Sequence, residues 1–166
     1  MAILINGFEM VDWELFFNQT LSGHRMITLE EAIIMGVNAP RPHQRVISKL
    51  NTALGMLYYK QSAILLEPFP EMMLDDDKTS PTPDISLYDN VLENTPVIIE
   101  ITRTGMVQTD LKKVRALVDS EDYGIREGFV YDYKLNLWHK YQLGAGDIND
   151  RPSFCEAINI DLATLL

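Results

Sequence analysis

A chain of 166 residues, 46% hydrophobic and with a net charge of −10, is sized for a single domain around one sizeable core. No apolar run approaches the ~20 residues of a membrane helix, and the single cysteine, Cys155, excludes an internal disulfide and a cysteine-rich metal cluster. The acidity argues against strong nonspecific nucleic-acid binding, which draws its affinity from Lys and Arg on phosphates, although a cleft holding a cation is locally attractive on an acidic protein. The first residues lack the basic start and long apolar stretch of a signal peptide, so the expected location is the cytoplasm.

Residues 1 to 25 form an extension without a clean period. In the stretch from Met26 to Met35, Thr28-Leu29-Glu30-Glu31 begins a short helix or sits on a strand, and both readings stay open. Glu31 is a candidate third acid for a site, against the commoner solvated or capping carboxylate. Asn38-Ala39-Pro40-Arg41-Pro42 breaks regular structure. From His43 to about Lys60, Val46, Ile47, Leu50, Ala53, Leu54 and Leu57 recur at helical spacing. His43, Gln44 and Arg45 fill the first turn of that helix. His43 and Gln44 are ordinarily exposed or capping there, the alternative being that they line the mouth of a site.

Ala63 to Leu66 and Glu71 to Leu74 read as strands interrupted by Pro68 and Pro70. The acidic, proline-rich run Asp75 to Pro83 reads as a solvated loop, since it lacks the alternating ligands and Gly of a calcium loop. The most informative residues follow. Asp84 stands at the mouth of the strand Ile85-Ser86-Leu87-Tyr88, and Glu100 interrupts Val97-Ile98-Ile99-Glu100-Ile101. Alternation sets Asp84, Ser86 and Tyr88 on one face of their strand, and Ile98, Glu100 and Thr102 on one face of theirs. An ionised carboxylate in a buried strand costs several kcal/mol unless a cation compensates it. A divalent metal shared by Asp84 and Glu100, with a lysine close by, meets that need; so does a purely structural ion pair from Glu100 to Arg115 or Lys113.

A helix N-capped by Thr109 or Asp110 follows, with Leu111, Val114, Leu117 and Val118 as its buried stripe. Lys113 and Arg115 flank the stripe, whereas Lys112 points further away. Gly128 to Tyr133 and Asn136 to Leu143 read as a hairpin, whose aromatics are ordinarily core and cross-strand packing rather than a base-stacking surface. Gly144 to Pro152 is expected to be a loop, and Ile158 to Leu162 a final strand or extended segment.

The ordered set resembles a known family. Pro83-Asp84, then Glu100 on the next strand, then a lysine on the following helix, is similar to the PD-(D/E)XK nuclease superfamily, and within it to the Uma family of restriction endonucleases. Pro42-His43-Gln44-Arg45-Val46, Asp110-Leu111-Lys112-Lys113, Phe129-Val130-Tyr131-Asp132 and Ile160-Asp161-Leu162 extend the resemblance over roughly residues 26 to 166. Pro-Asp and a lone Glu are common motifs; the order of the set is what distinguishes it. The superfamily's lysine two residues after the glutamate is replaced by Thr102, so the lysine comes from the helix. Lys113 falls one residue early against the family spacing, which leaves Lys112 and Lys113 both open, and the family's N-terminal Glu has no clean counterpart, Glu30 and Glu31 being the candidates.

The resemblance implies an α/β fold with a restriction-endonuclease-like core, a mixed central β-sheet flanked by helices, in one domain over 1–166. It implies a metal-dependent endonuclease acting on nucleic acid, DNA favoured, with Mg²⁺ or Mn²⁺ held by Asp84, Glu100 and the Ile101 carbonyl. Lys113 or Lys112 would be the catalytic lysine, and a homodimer is the form that would cut both strands. The alternative, favoured by the acidity and by Thr102, is a nuclease-fold module that binds or assembles without catalysis.

Overall fold

The computed structural model describes residues 40–75 and 80–166, so the extension, Glu30, Glu31 and part of the acidic loop lie outside the described residues. Helix α1 spans Arg41–Gly55 and runs on into a single π-helical turn, Met56–Lys60. It buries Ile47, Leu50 and Leu54, the stripe its spacing predicts. It starts two residues before His43, with Pro42 in its first turn. A proline is harmless there, because the first N–H groups of a helix have no intrahelical partner.

Among the described residues six strands form one sheet in chain order: β1 Glu67–Pro70, β2 Ile85–Asp89, β3 Asn94–Thr102, β4 Glu127–Asp132, β5 Leu137–Gln142 and β6 Gly146–Ile148. Only β3 and β4 are parallel; the other neighbours are antiparallel. The first strand corrects the sequence expectation. Neither 63–66 nor 71–74 is a strand; the proline-bearing segment between them is. Pro68 and Pro70, two apart, turn their missing N–H groups the same way, and among the described residues β1 is an edge strand. The expected loop after residue 143 likewise contains β6, entered through turns in which Gly144 and Gly146 have φ of +76° and +80°.

Helix α2, Val107–Ser120, links β3 to β4. It begins before Thr109, after a 3₁₀ turn at Thr104–Met106, because buried Val107 already belongs to its apolar stripe. The helices cover opposite faces. On one side α1 packs on Ile85, Leu87, Val97, Ile99, Ile101 and Phe129. On the other, Val107, Leu111, Val114 and Val118 of α2 pack on Ile98 and Val130. The α2 contact is close enough that a Cβ on Gly128 would lie 2.3 Å from Val114 Cγ1.

The expected final strand shrinks to two residues of pairing, β7 Phe154–Cys155 with β8 Ile160–Asp161, followed by a 3₁₀ turn at Leu162–Leu165. A buried ion pair bolts this hairpin to the sheet. Lys140 Nζ lies 2.7 Å from Glu127 Oε2 and donates to the Phe154 carbonyl at 3.0 Å. Glu127 also accepts the backbone N–H groups of Glu156 and Ala157. Cys155 is buried beside it, and burial foremost, with the Glu127 charge, pushes its thiol up to about 12, so it is no nucleophile.

Candidate active site

The β2–β3 register pairs Ile85 with Ile99 and Ser86 with Ile98. One further step along the same register sets Asp84 opposite Glu100. Alternation puts Glu100 on the α2 side of the sheet, with the buried polar residues Ser86 and Thr102, while Asp84, just before β2, turns its carboxylate to the Ile101 N–H and to His43 of α1. The two acids that the sequence marks therefore come together at the end of β3, near enough for the Asp84 charge to act on Glu100.

Their surroundings differ. Asp84 Oδ2 accepts the Ile101 N–H at 2.6 Å and sits 3.2 Å from His43 Nε2. His43 reaches it from the first turn of α1, so the carboxylate is held between a strand N–H and a helix side chain. That bond raises the His43 pKa above its ordinary 6.5. Burial opposes the rise, while the Asp84 charge, the Ile101 backbone and Glu100 add to it.

Glu100 is only 6% exposed. Burial pushes its carboxyl up to about 7; Lys113 pulls the other way, and Asp84 and Asp110 push further up. Lys113 Nζ stands 2.7 Å from Glu100 Oε1 and donates to the Thr82 carbonyl at 3.3 Å, so one ammonium ties β3 to the segment that delivers Asp84. At that distance the ammonium is a charge-assisted partner for Oε1, and it is the one seen for this carboxylate among the described residues.

The remaining candidates separate cleanly. Lys113 faces the acids, while Lys112 is exposed. Gln44, on the same helix turn as His43, bonds Glu71 Oε1 at 3.3 Å instead of the acid pair. The Ile101 peptide is at the site, and the group seen to engage Asp84 is its N–H. Arg115 makes its ion pair with Asp147, away from Glu100. Glu31 is outside the described residues. The sequence counts Tyr133 among the hairpin aromatics read as packing; it does pack on the core, and its ring meets His43 edge-on at 6.4 Å between centroids. Its only signal for that contact was its place just past the last residue of β4.

Among the described residues no group of three or more His, Cys, Asp or Glu stands together as a metal-binding cluster. The donor set, two neighbouring carboxylates, nonetheless fits a hard cation of the Mg²⁺ type, which typically takes one or two carboxylates and completes its shell with water and phosphate oxygens.

No protein-family model and no curated protein matches the chain. Solved structures do. A candidate nuclease of the DUF820 family from Anabaena variabilis ATCC 29413 superposes with a TM-score of 0.57 at 14% identity, over 84% of this chain and 97% of its own. The type IIG restriction endonuclease BpuSI superposes with a TM-score of 0.47 at 11% identity, over 74% of this chain and 15% of its own. The mixed sheet between two helices is a restriction-endonuclease-like α/β fold, as the sequence led one to expect.

Proposed function

We propose that this protein hydrolyses phosphodiester bonds in nucleic acid, DNA favoured, with Mg²⁺ or Mn²⁺ held by Asp84 and Glu100. One observation carries the reading: a glutamate buried in the middle of an apolar strand faces a lysine at 2.7 Å, next to a second acid that a strand N–H and a histidine hold in place. Glu127, a buried glutamate of the same sheet, is held by a lysine and two backbone N–H groups, whereas among the described residues Lys113 is the partner seen for Glu100.

When bound, the ion would lower the pKa of a water and neutralise charge on the scissile phosphate. Asp84 is oriented for its part by the Ile101 N–H and by His43. Glu100, with a pKa of about 7, is poised between its two forms near neutrality, and Lys113 biases it towards the ionised one. The Lys113 ammonium has fixed anchors at Glu100 and the Thr82 carbonyl, so it can meet negative charge that builds up on the phosphate with little reorganisation. It thereby fills from the helix the place that Thr102 leaves uncharged on the strand.

The test is cleavage of plasmid or oligonucleotide in Mg²⁺ or Mn²⁺ by wild type and by Glu100→Ala. Loss of cleavage in the variant is the expected result; equal activity in both sinks the assignment.

A further inference from the structure

We infer that the exposed face of α1 docks the sugar-phosphate backbone of the nucleic acid to be cut, with Arg41, Arg45 and Lys49 on its phosphates. This rests on the hydrolytic reading above and adds to it the surface that holds the substrate. No Asp or Glu stands between Glu31 and Glu67, although the chain has 24 of them. The same stretch holds four of the 14 Lys and Arg, so it carries +4 while the rest of the chain carries −14. Helix α1 lies wholly inside it. Arg41, Arg45 and Lys49 follow at four-residue steps, which puts them on one side of the helix, away from the buried Ile47, Leu50 and Leu54. All three are exposed, as are Ser48 and Thr52 on the same side. Arg41 and Arg45 stand two residues either side of His43, which bonds Asp84. The row therefore starts at the turn that touches the candidate site and runs about 12 Å along the axis to Lys49.

This arrangement works against the helix itself. Cations in the first turns meet the positive end of the helix dipole, and like charges four residues apart repel. No acid in the first turn offsets either effect, and among the described residues none of the three cations is paired with a carboxylate. Glu71, an exposed acid that reaches this turn, bonds Gln44 instead. A face kept only for solubility normally interleaves acids with its cations, which stabilises the helix. Here helix stability is given up for positive charge, and the occupant that gains from such a face is a polyanion. A recess of about 470 Å³ opens beside the row, lined by Arg45, Ser48, Lys49, Thr52, Ala53 and Leu165, none of them acidic. Arg, Lys, Ser and Thr are also side chains that commonly hold phosphate oxygens. The start of the row beside the acid pair decides among polyanions for nucleic acid.

The experiment is fluorescence anisotropy with two labelled DNA duplexes of unrelated sequence, in CaCl₂ at several salt concentrations. Wild type should bind both. Arg41→Ala, Arg45→Ala and Lys49→Ala should each flatten the slope of log affinity against log salt by about 0.9, equally on the two sequences. Arg45→Lys keeps the charge and should keep the slope. Arg45→Glu combined with Lys49→Glu should weaken binding by about tenfold or more. Arg126→Ala, an exposed cation just before β4 at the end away from the acids, serves as the control. Thermal melts of the alanine variants should match or exceed wild type, because each removes a repulsion. The inference is overturned if wild type binds neither duplex at low salt, whether or not it sediments with phosphatidylserine vesicles instead. It is equally overturned if two or more of the alanine variants keep the wild-type slope, or if Arg126→Ala flattens it as much. Alanine variants that melt below wild type would make the row structural and overturn it too. Cleavage in Mg²⁺ or Mn²⁺ is scored separately, so a failure of hydrolysis and a failure of docking give different results.

Discussion

Lys113 and Glu100 face each other across the α2–β3 contact at 2.7 Å, and the glutamate is the more deeply buried of the two. That asymmetry fixes the sign of a pH effect. The Glu100 carboxyl is held at about 7 against an ordinary 4.5, chiefly by burial. Between those values the folded chain keeps a proton that the unfolded chain has released. The contribution of Glu100 to stability therefore falls as pH rises from about 4.5 to about 7 and then levels off. Glu100→Gln has no such proton to lose. Without added metal it should match or exceed wild type above pH 7, by on the order of 1–3 kcal/mol, in urea melts followed by circular dichroism. A variant less stable than wild type at every pH would instead make Glu100 a structural partner of Lys113.

His43 reports on Asp84. Its pKa is raised mainly by the Asp84 bond, against the pull of burial. In Asp84→Asn the burial remains and the carboxylate does not, so the ring should titrate at lower pH than in wild type. A histidine side-chain NMR titration reads this directly, and an unchanged midpoint would mean that the His43–Asp84 bond does not form in solution.

The pair Lys140–Glu127 is enclosed, with side chains 2% and 4% exposed. Lys140→Met removes the cation and leaves Glu127 charged in the core, which typically costs about 3–5 kcal/mol. Because Glu127 also holds the Glu156 and Ala157 N–H groups, amide exchange should quicken across 154–162 before it does elsewhere. Uniform exchange across the chain would show that the hairpin is held by something else.

Gly128 sets the distance between α2 and the sheet. An alanine Cβ there would sit 2.3 Å from Val114 Cγ1 and 3.3 Å from Val118 Cγ2. Gly128→Ala should cost about 1–3 kcal/mol through overpacking. Combining it with Val114→Ala should return part of that stability, measured by thermal melts. A neutral Gly128→Ala would mean that the helix stands further from β4 than this.

The acid pair was legible because strand alternation needs no knowledge of distant contacts. Asp84 and Glu100 each break an apolar run, and parity alone puts Glu100 with Ile98 and Thr102. The preference for Lys113 over Lys112 came from helix geometry in the same way. What was illegible depended on neighbours. Pro68 and Pro70 look like breaks until β1 is known to be an edge strand, and Pro42 looks like one until it is known to fall in a first turn. The start of α2 was misplaced because a good capping residue at Thr109 or Asp110 was weighed above the burial of Val107. Gln44 and His43 are adjacent in sequence, yet only His43 turns towards Asp84, a difference set by how α1 rests on the sheet. The bond from the Thr82 carbonyl to Lys113 spans 31 residues and leaves no sequence signal.

The most direct test of the ion-holding acid pair is calorimetric titration with Mn²⁺ at pH 8 of wild type, Asp84→Asn and Glu100→Gln. Wild type should bind one ion, and each variant should lose at least about tenfold in affinity, since each removes one of the two carboxylate ligands. Below pH 7 wild-type binding should also release a proton, seen as a heat that changes with the buffer, because Glu100 must ionise to bind. Binding by Glu100→Gln as tight as wild type would contradict the account, for the ion would then be held by other residues.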